Sequence, residues 1–155
     1  MKENLPQRKN IRLKQYDYSQ EGYYFVTICT NDRMKLFGEI VGADRCVCPQ
    51  TKLTKIGREI EKSILKMNTT NTKINEYIIM PDHIHIVIQI VGGQSRPPLH
   101  KIIQKFKSIT TNKCFKFGYN KIWQRNYYEH VIRNDKELFE IKNYIQTNPL
   151  SWIKM

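Results

Sequence analysis

Between His83 and Val91 the chain reads HIHIVIQIV, and that strict alternation constrains the backbone more than any other stretch. Successive side chains of a β-strand point to opposite faces. Ile84, Ile86, Ile88 and Ile90 therefore share one face, and His83, His85, Val87 and Gln89 share the other. A strand with an unbroken isoleucine back is anchored by burial, so whatever its front carries is held rigidly.

The rest of the chain supplies partners for such a strand. Tyr23 to Thr30 (YYFVTICT) is aromatic and β-branched and predicts a central strand, followed by the polar turn Asn31-Asp32-Arg33 and a hairpin partner at Lys35 to Val41. After a connection over Gly42 to Gln50, Leu53, Ile56, Ile60, Ile64 and Met67 recur at helical spacing. The polar run Asn68 to Lys73 ends that helix, Ile74 to Met80 returns to strand character, and Pro81-Asp82 makes a break before His83. Leu99, Ile102, Ile103, Phe106 and Ile109 mark a second amphipathic helix, with Lys101, Lys105, Ser108 and Asn112 on its polar face. Ile122 to Ile132 predicts an extended segment. A last helix starts near Asn134, with Glu137 completing a capping-box pattern, and is expected to stop before Pro149. This order predicts an α+β fold, a ferredoxin-like antiparallel sheet with helices packed on one face. The 155 residues suit one domain, 1–155, with residues 1–15 as a basic N-terminal arm.

Charge narrows the function. Twenty-six Lys and Arg against 14 Asp and Glu give a net charge of +12, which favours a polyanionic partner, since phosphate neutralisation drives nucleic-acid affinity. From Leu99 to Arg125 there are seven basic residues and no acidic one. Lys101, Lys105, Lys107 and Arg125 are candidates for neutralising a nucleic-acid backbone, with Trp123, Tyr127 and Tyr128 as stacking surfaces for unpaired bases. Arg8, Lys9, Arg12 and Lys14 form a second cluster, which fits a DNA-gripping arm or a solvated tail. No apolar run approaches the roughly 20 residues of a membrane span, and residues 1–15 lack the apolar stretch of a secretory signal, so a cytoplasmic protein is expected. Cys29, Cys46, Cys48 and Cys114 lack zinc-ribbon spacing and are expected to be reduced, mostly buried thiols.

Two constellations could carry chemistry. His83 and His85, two apart on a strand, project to the same side and can share one metal ion; the spacing alone equally allows two surface histidines on a polar face. On the last helix, Leu138, Ile141 and Ile145 define a buried stripe with Tyr144 at its margin, and Asn148 lies four residues on, along the same flank. A nucleophilic hydroxyl and a ligating amide oxygen could stand side by side there. The same pair is also what a tyrosine packed at a helix edge and a helix-ending asparagine would look like.

Four blocks in register, IRLKQYDYSQEGYYFVTICT, MPDHIHIVI, WQRNYYEHVIR and YIQTNP, make the chain resemble the REP-associated tyrosine transposases, a single-tyrosine branch of the HUH endonucleases. The resemblance implies that His83 and His85 are metal ligands flanking the hydrophobic Ile84, that Tyr144 on the C-terminal helix is the nucleophile, and that Asn148 is a further ligand. It implies single-stranded, hairpin-forming DNA as substrate, a phosphotyrosine on the 5′ side of the break with a free 3′ hydroxyl, and Mg2+ or Mn2+ as the ion. Two imidazoles and an amide suit Mn2+ at least as well as Mg2+. REP-associated relatives are expected to act as monomers, whereas insertion-sequence members of the wider class exchange tyrosine helices in dimers. A noncatalytic nucleic-acid-binding descendant is the competing reading. A histidine-triad hydrolase would want a third histidine where Val87 stands.

Overall fold

A computed structural model describes residues 15–42, 48–92 and 96–153. The elements run in the order β1 (Gly22–Cys29), β2 (Gly38–Val41), β3 (Gln50–Leu53), α1 (Lys55–Leu65), β4 (Thr72–Ile79), β5 (His83–Ile90), α2 (Leu99–Cys114), β6 (Tyr128–Ile132) and α3 (Asp135–Ile153), with short 3-10 turns at Asn31–Arg33 and Phe115–Phe117. The main sheet has the order β4-β5-β1-β6 with every neighbour antiparallel. Stripped of β2, β3 and α3, the path β1-α1-β4-β5-α2-β6 is the expected ferredoxin-like arrangement.

The isoleucine back of β5 is the centre of the core. Ile84, Ile86, Ile88 and Ile90 are at most 1% exposed and pack with Tyr24, Val26 and Ile28 of β1 beneath Ile56, Ile60 and Ile64 of α1 and Leu99, Ile103 and Phe106 of α2. Burial of one such side chain is worth about 1.5–3 kcal/mol, so this face alone fixes the register of β5. In β4 an irregularity between Ile74 and Glu76 breaks the alternation. Ile74 pairs with Ile88 and Tyr77 with Ile86, so residues three apart in sequence both join the helix-covered core, as an inserted bulge residue allows.

Three expectations are corrected. Lys35 to Val41 does not pair with β1: β2 pairs with β3 in a separate two-stranded sheet, because β1 is flanked on both sides by β5 and β6. Helices cover one face as expected for α1 and α2, but α3 lies on the other, where Ile145 packs among Phe25, Val87 and Ile132. Nor does α3 stop before Pro149. Its cap is as expected, Glu137 N donating to Asn134 Oδ1 at 2.8 Å, and the Glu137 carboxylate accepts from Arg133 N and pairs with His130 Nε2. The helix then continues through a buried Pro149 to Ile153. A proline inside a helix forfeits a hydrogen bond, and the packing of Asn148, Pro149 and Trp152 onto the sheet side offsets that loss. Among the described residues no helix is long and apolar enough to cross a membrane.

Helix α1 begins where the chain leaves β3. Thr54 Oγ1 accepts from Gly57 N at 3.0 Å and donates to Leu36 O at 2.7 Å, so one hydroxyl caps the helix and ties it to the β1–β2 connection. A Cβ on Gly57 would lie 2.1 Å from Phe37 O. Gly57→Ala is therefore expected to destabilise the fold by about 1–3 kcal/mol through overpacking, against the roughly 1 kcal/mol gain that helix propensity alone would give. Urea unfolding checks this; a raised midpoint would contradict the close approach.

Candidate active site

The front of β5 and the inner flank of α3 meet at one place. Ile145, 1% exposed, fixes α3 against Phe25, Val87 and Ile132, and the residues on either side of it in the helix follow. Asn148 is 7% exposed, beside His83 at 8% and His85 at 5%. Its Nδ2 lies 3.4 Å from His85 Nε2, whose ring stands 4.7 Å from that of His83, and the amide also bears on the protonation of His83. One turn earlier, Tyr144 sets its ring edge-on to His85 at 5.4 Å and to Phe25 at 6.2 Å while half of it stays exposed. The four residues singled out by spacing and resemblance are thus brought together.

Each imidazole is oriented from behind. His83 Nδ1–H donates to Asp82 Oδ1 at 2.6 Å, and His85 Nδ1 lies 2.7 Å from Thr27 Oγ1, which faces it across the β1–β5 pairing. With Asn148 Nδ2–H donating to His85 Nε2, that nitrogen is the acceptor and Nδ1 carries the proton toward Thr27. Asp82 is itself buried and accepts from Arg33 Nε at 3.1 Å. Trp152 lies 6.1 Å from the His83 ring, and Lys35 Nζ stands 5.7 Å from the centre of the indole.

Electrostatics keep both rings neutral. Burial, then the charges of His83 and Arg33, pull His85 down to about 3. Burial also lowers His83, opposed by the hydrogen bond and charge of Asp82. Neutral imidazoles whose Nδ1 atoms are already engaged present Nε2 lone pairs, the form in which histidine ligates metals. Among the described residues no group of three or more His, Cys, Asp or Glu is placed to hold an ion. The donor set is two imidazoles and an amide that presents its oxygen when turned over, which fits an ion whose remaining positions go to water and substrate oxygens.

Asp82, Thr27 and Arg33 are additions to the residues read from the sequence. Asp82 carried a local signal, an acid directly before the first histidine. Thr27 and Arg33 carried none, since the β1–β5 register brings Thr27, and the turn that follows β1 brings Arg33, to the histidines.

Two expected nucleic-acid contacts are corrected. Trp123 is 5% exposed, packs against Phe37 and Phe106 and donates its indole N–H to Thr110 Oγ1 at 2.8 Å, so it is a core residue with no face open for a base. Lys107 is half-buried and spends its ammonium on the carbonyls of Gln124, Arg125 and Asn126 at 2.8, 3.3 and 3.4 Å; burial lowers its pKa to about 8. Lys101, Lys105 and Arg125 are exposed. Lys101 and Lys105 border a cavity of about 280 Å³ with Met67, Ile102 and Phe106, on the helix-covered side of the sheet. Arg8, Arg12 and Lys14 lie outside the described residues.

Comparison with known proteins places this arrangement. A sequence model for IS200-like transposases matches residues 18–148. A Haemophilus influenzae protein of uncharacterised function is 35% identical over 167 aligned residues, covering 94% of this chain and 89% of that one. A second Haemophilus influenzae protein, provisionally named a REP-associated tyrosine transposase, is 26% identical over 148 residues, covering 86% of this chain and 73% of its own length. Among solved structures, a REP-associated tyrosine transposase bound to a REP hairpin matches with a TM-score of 0.66 at 24% identity, over 90% of this chain and 73% of that one, which is a likeness of fold.

Lys107→Ala is expected to lower stability by about 1 kcal/mol through loss of the half-buried hydrogen bond to Gln124 O, and to leave the salt dependence of nucleic-acid binding unchanged. A shallower salt slope at unchanged thermal midpoint would return Lys107 to the phosphate-contacting set.

Proposed function

The chain belongs to the IS200-like transposase family, and from that premise we propose that it cuts and rejoins single-stranded DNA carrying a hairpin, with Tyr144 as nucleophile and His83, His85 and Asn148 as ligands of a divalent metal. One observation above all supports the reading. The amide of Asn148 lies 3.4 Å from His85, whose ring stands 4.7 Å from that of His83, while Tyr144, one turn away on the same helix, packs on His85. Buried, neutral, pre-oriented imidazoles beside a half-exposed tyrosine are arranged as ligand and nucleophile need to be, the first shielded and the second within reach of a polymer in solvent.

In the proposed step the Tyr144 hydroxyl oxygen attacks phosphorus. A tyrosine–phosphorus bond forms as the bond to the 3′ oxygen breaks; the tyrosine proton leaves to solvent and the released 3′ oxygen takes one up. One phosphodiester replaces another, so attack by a free 3′ hydroxyl reverses the step without an external energy source. When bound, Mg2+ or Mn2+ supplies Lewis-acid withdrawal of charge from the nonbridging oxygens. Asp82 and Thr27 hold the imidazoles in one tautomer each, and Phe25 with Ile145 keeps water from the back of the site. Tyr144 packs on His85, and action as a monomer is part of the proposal. The exposed Lys101 and Lys105 would neutralise the backbone of the hairpin stem.

Labelled hairpin-bearing single strands from the flanks of the gene, incubated with Mn2+ and run on a denaturing gel, test the reading. Wild type is expected to form a covalent adduct that Tyr144→Phe and His83→Ala both abolish; tight binding of every hairpin without an adduct would instead make the protein a noncatalytic DNA binder. Lys101→Ala with Lys105→Ala should weaken hairpin binding and flatten its salt dependence by about two in the log-log slope. Unchanged binding would move the stem to another face.

A further inference from the structure

Immediately after β1, the turn Asn31–Arg33 carries two successive non-glycine residues in the left-handed region, Asp32 at φ 54° and Arg33 at φ 54°. That conformation costs an L-residue roughly 1–2 kcal/mol. Asp32 is a residue type that tolerates it, and here it accepts from Asn31 Nδ2 at 3.2 Å. Arginine has no such local compensation, so the turn holds Arg33 there by other means. Thr30 is the clamp: its N donates to Asp82 O, its Oγ1 shares one proton between Met34 O at 2.8 Å and Asp82 O at 3.0 Å, and its own carbonyl accepts from Arg33 N.

The forced conformation delivers the guanidinium to a defined place. Nε donates to Asp82 Oδ2 at 3.1 Å and Nη1 to Cys29 Sγ at 2.8 Å. Cys29 stands opposite His83 in the β1–β5 register, and Asp82 holds His83 with its other oxygen. The Arg33 side chain is nevertheless 51% exposed. An ion pair serving the core alone would be enclosed at both ends. This one is buried at the carboxylate and open at the cation, and the charge of the cation is felt by both His83 and His85.

We propose that Arg33 is the residue that binds the reacting phosphate: anchored by Asp82 and Cys29, it offers the remaining N–H groups of its guanidinium to a nonbridging oxygen of the phosphodiester brought against His83, His85 and Tyr144. The inference rests on reading this site as one that takes a phosphodiester. Charge gathers on the nonbridging oxygens during phosphoryl transfer, and donors already fixed in place stabilise it without reorganisation. A guanidinium fork matches phosphate, and its outer N–H groups stay available when Nε is tied down, which the point charge of a lysine cannot reproduce. Asp82 then has two tasks, holding one tautomer of His83 and aiming Arg33, so Arg33 is the catalytic residue and Asp82 the positioning one.

The test measures strand binding without metal. A single neutral methylphosphonate is walked along a labelled single-stranded hairpin substrate, and affinities are read in EDTA for wild type, Arg33→Ala and Arg33→Lys. At one linkage the neutral substitution is expected to weaken wild-type binding about tenfold while costing Arg33→Ala nothing further. Arg33→Lys, which keeps a long stem and a charge for Asp82, guards against a change of fold and is expected to retain only part of that sensitivity. Additive effects at every linkage in both variants would overturn the inference. Because no cleavage is read, the result is separable from the adduct assay: adduct without coupling removes Arg33 from the phosphate and leaves Tyr144 its role, whereas coupling without adduct leaves Arg33 a strand-binding residue in a noncatalytic protein.

Discussion

Burial of the isoleucine back of β5 is the constraint on which the site depends. Those side chains lie under α1 and α2 at no more than 1% exposure, and a slip of one residue would drive His83 and His85 into that core and carry the isoleucines to the face that α3 covers. The penalty is two imidazoles taken into an apolar layer away from their hydrogen-bond partners, about 1–3 kcal/mol each, so the front of the strand has a single register. Given that register, Thr27 must stand behind His85 and Cys29 beside His83, and the hydrogen bonds that select each tautomer follow from pairing.

The second face of the sheet is where the fold departs from a plain two-layer α+β sandwich. A sheet with helices on one side leaves Phe25, Val87 and Ile132 exposed, and α3 covers them with Ile145. The same contact buries the histidines, and burial in turn lowers their affinity for protons. Hydrophobic docking of α3 and preparation of the imidazoles are thus one event. The buried Pro149 belongs to it: the helix forgoes a backbone hydrogen bond there, and in return Asn148 and Trp152 reach the histidines.

What could be read from the sequence was set by how local the controlling interactions are. The β5 alternation, the α1 stripe Ile56, Ile60 and Ile64, and the Asn134 cap all express themselves within a few residues, and all three stand where expected. The partner of Lys35 to Val41 depended on a competition decided elsewhere, since both sides of β1 were taken by strands more than 50 residues downstream. Trp123 and Lys107 looked like DNA contacts because a basic, aromatic stretch has the same composition whether it faces solvent or clamps a loop. Only packing against Thr110 and three backbone carbonyls distinguishes the two. His83, His85, Tyr144 and Asn148 were legible as two pairs; that they meet is a tertiary fact carried by Ile145.

The different burial of those four residues also separates their physical roles. Removing His83 would leave the Asp82 carboxylate, buried and facing both His83 and Arg33, with only its cationic partner, and a charge left half-satisfied indoors disturbs its surroundings. Removing Asn148 would take a hydrogen-bond partner from His85. A substitution at either residue is therefore a change to the packing of α3 as well as to the proposed chemistry. Tyr144 is the exception: its ring contacts Phe25 and His85, and phenylalanine preserves that ring. Loss of its hydroxyl would remove the proposed nucleophile and leave the docking of the helix intact, so the proposed chemistry of this site can be dissected from its architecture at Tyr144 before anywhere else.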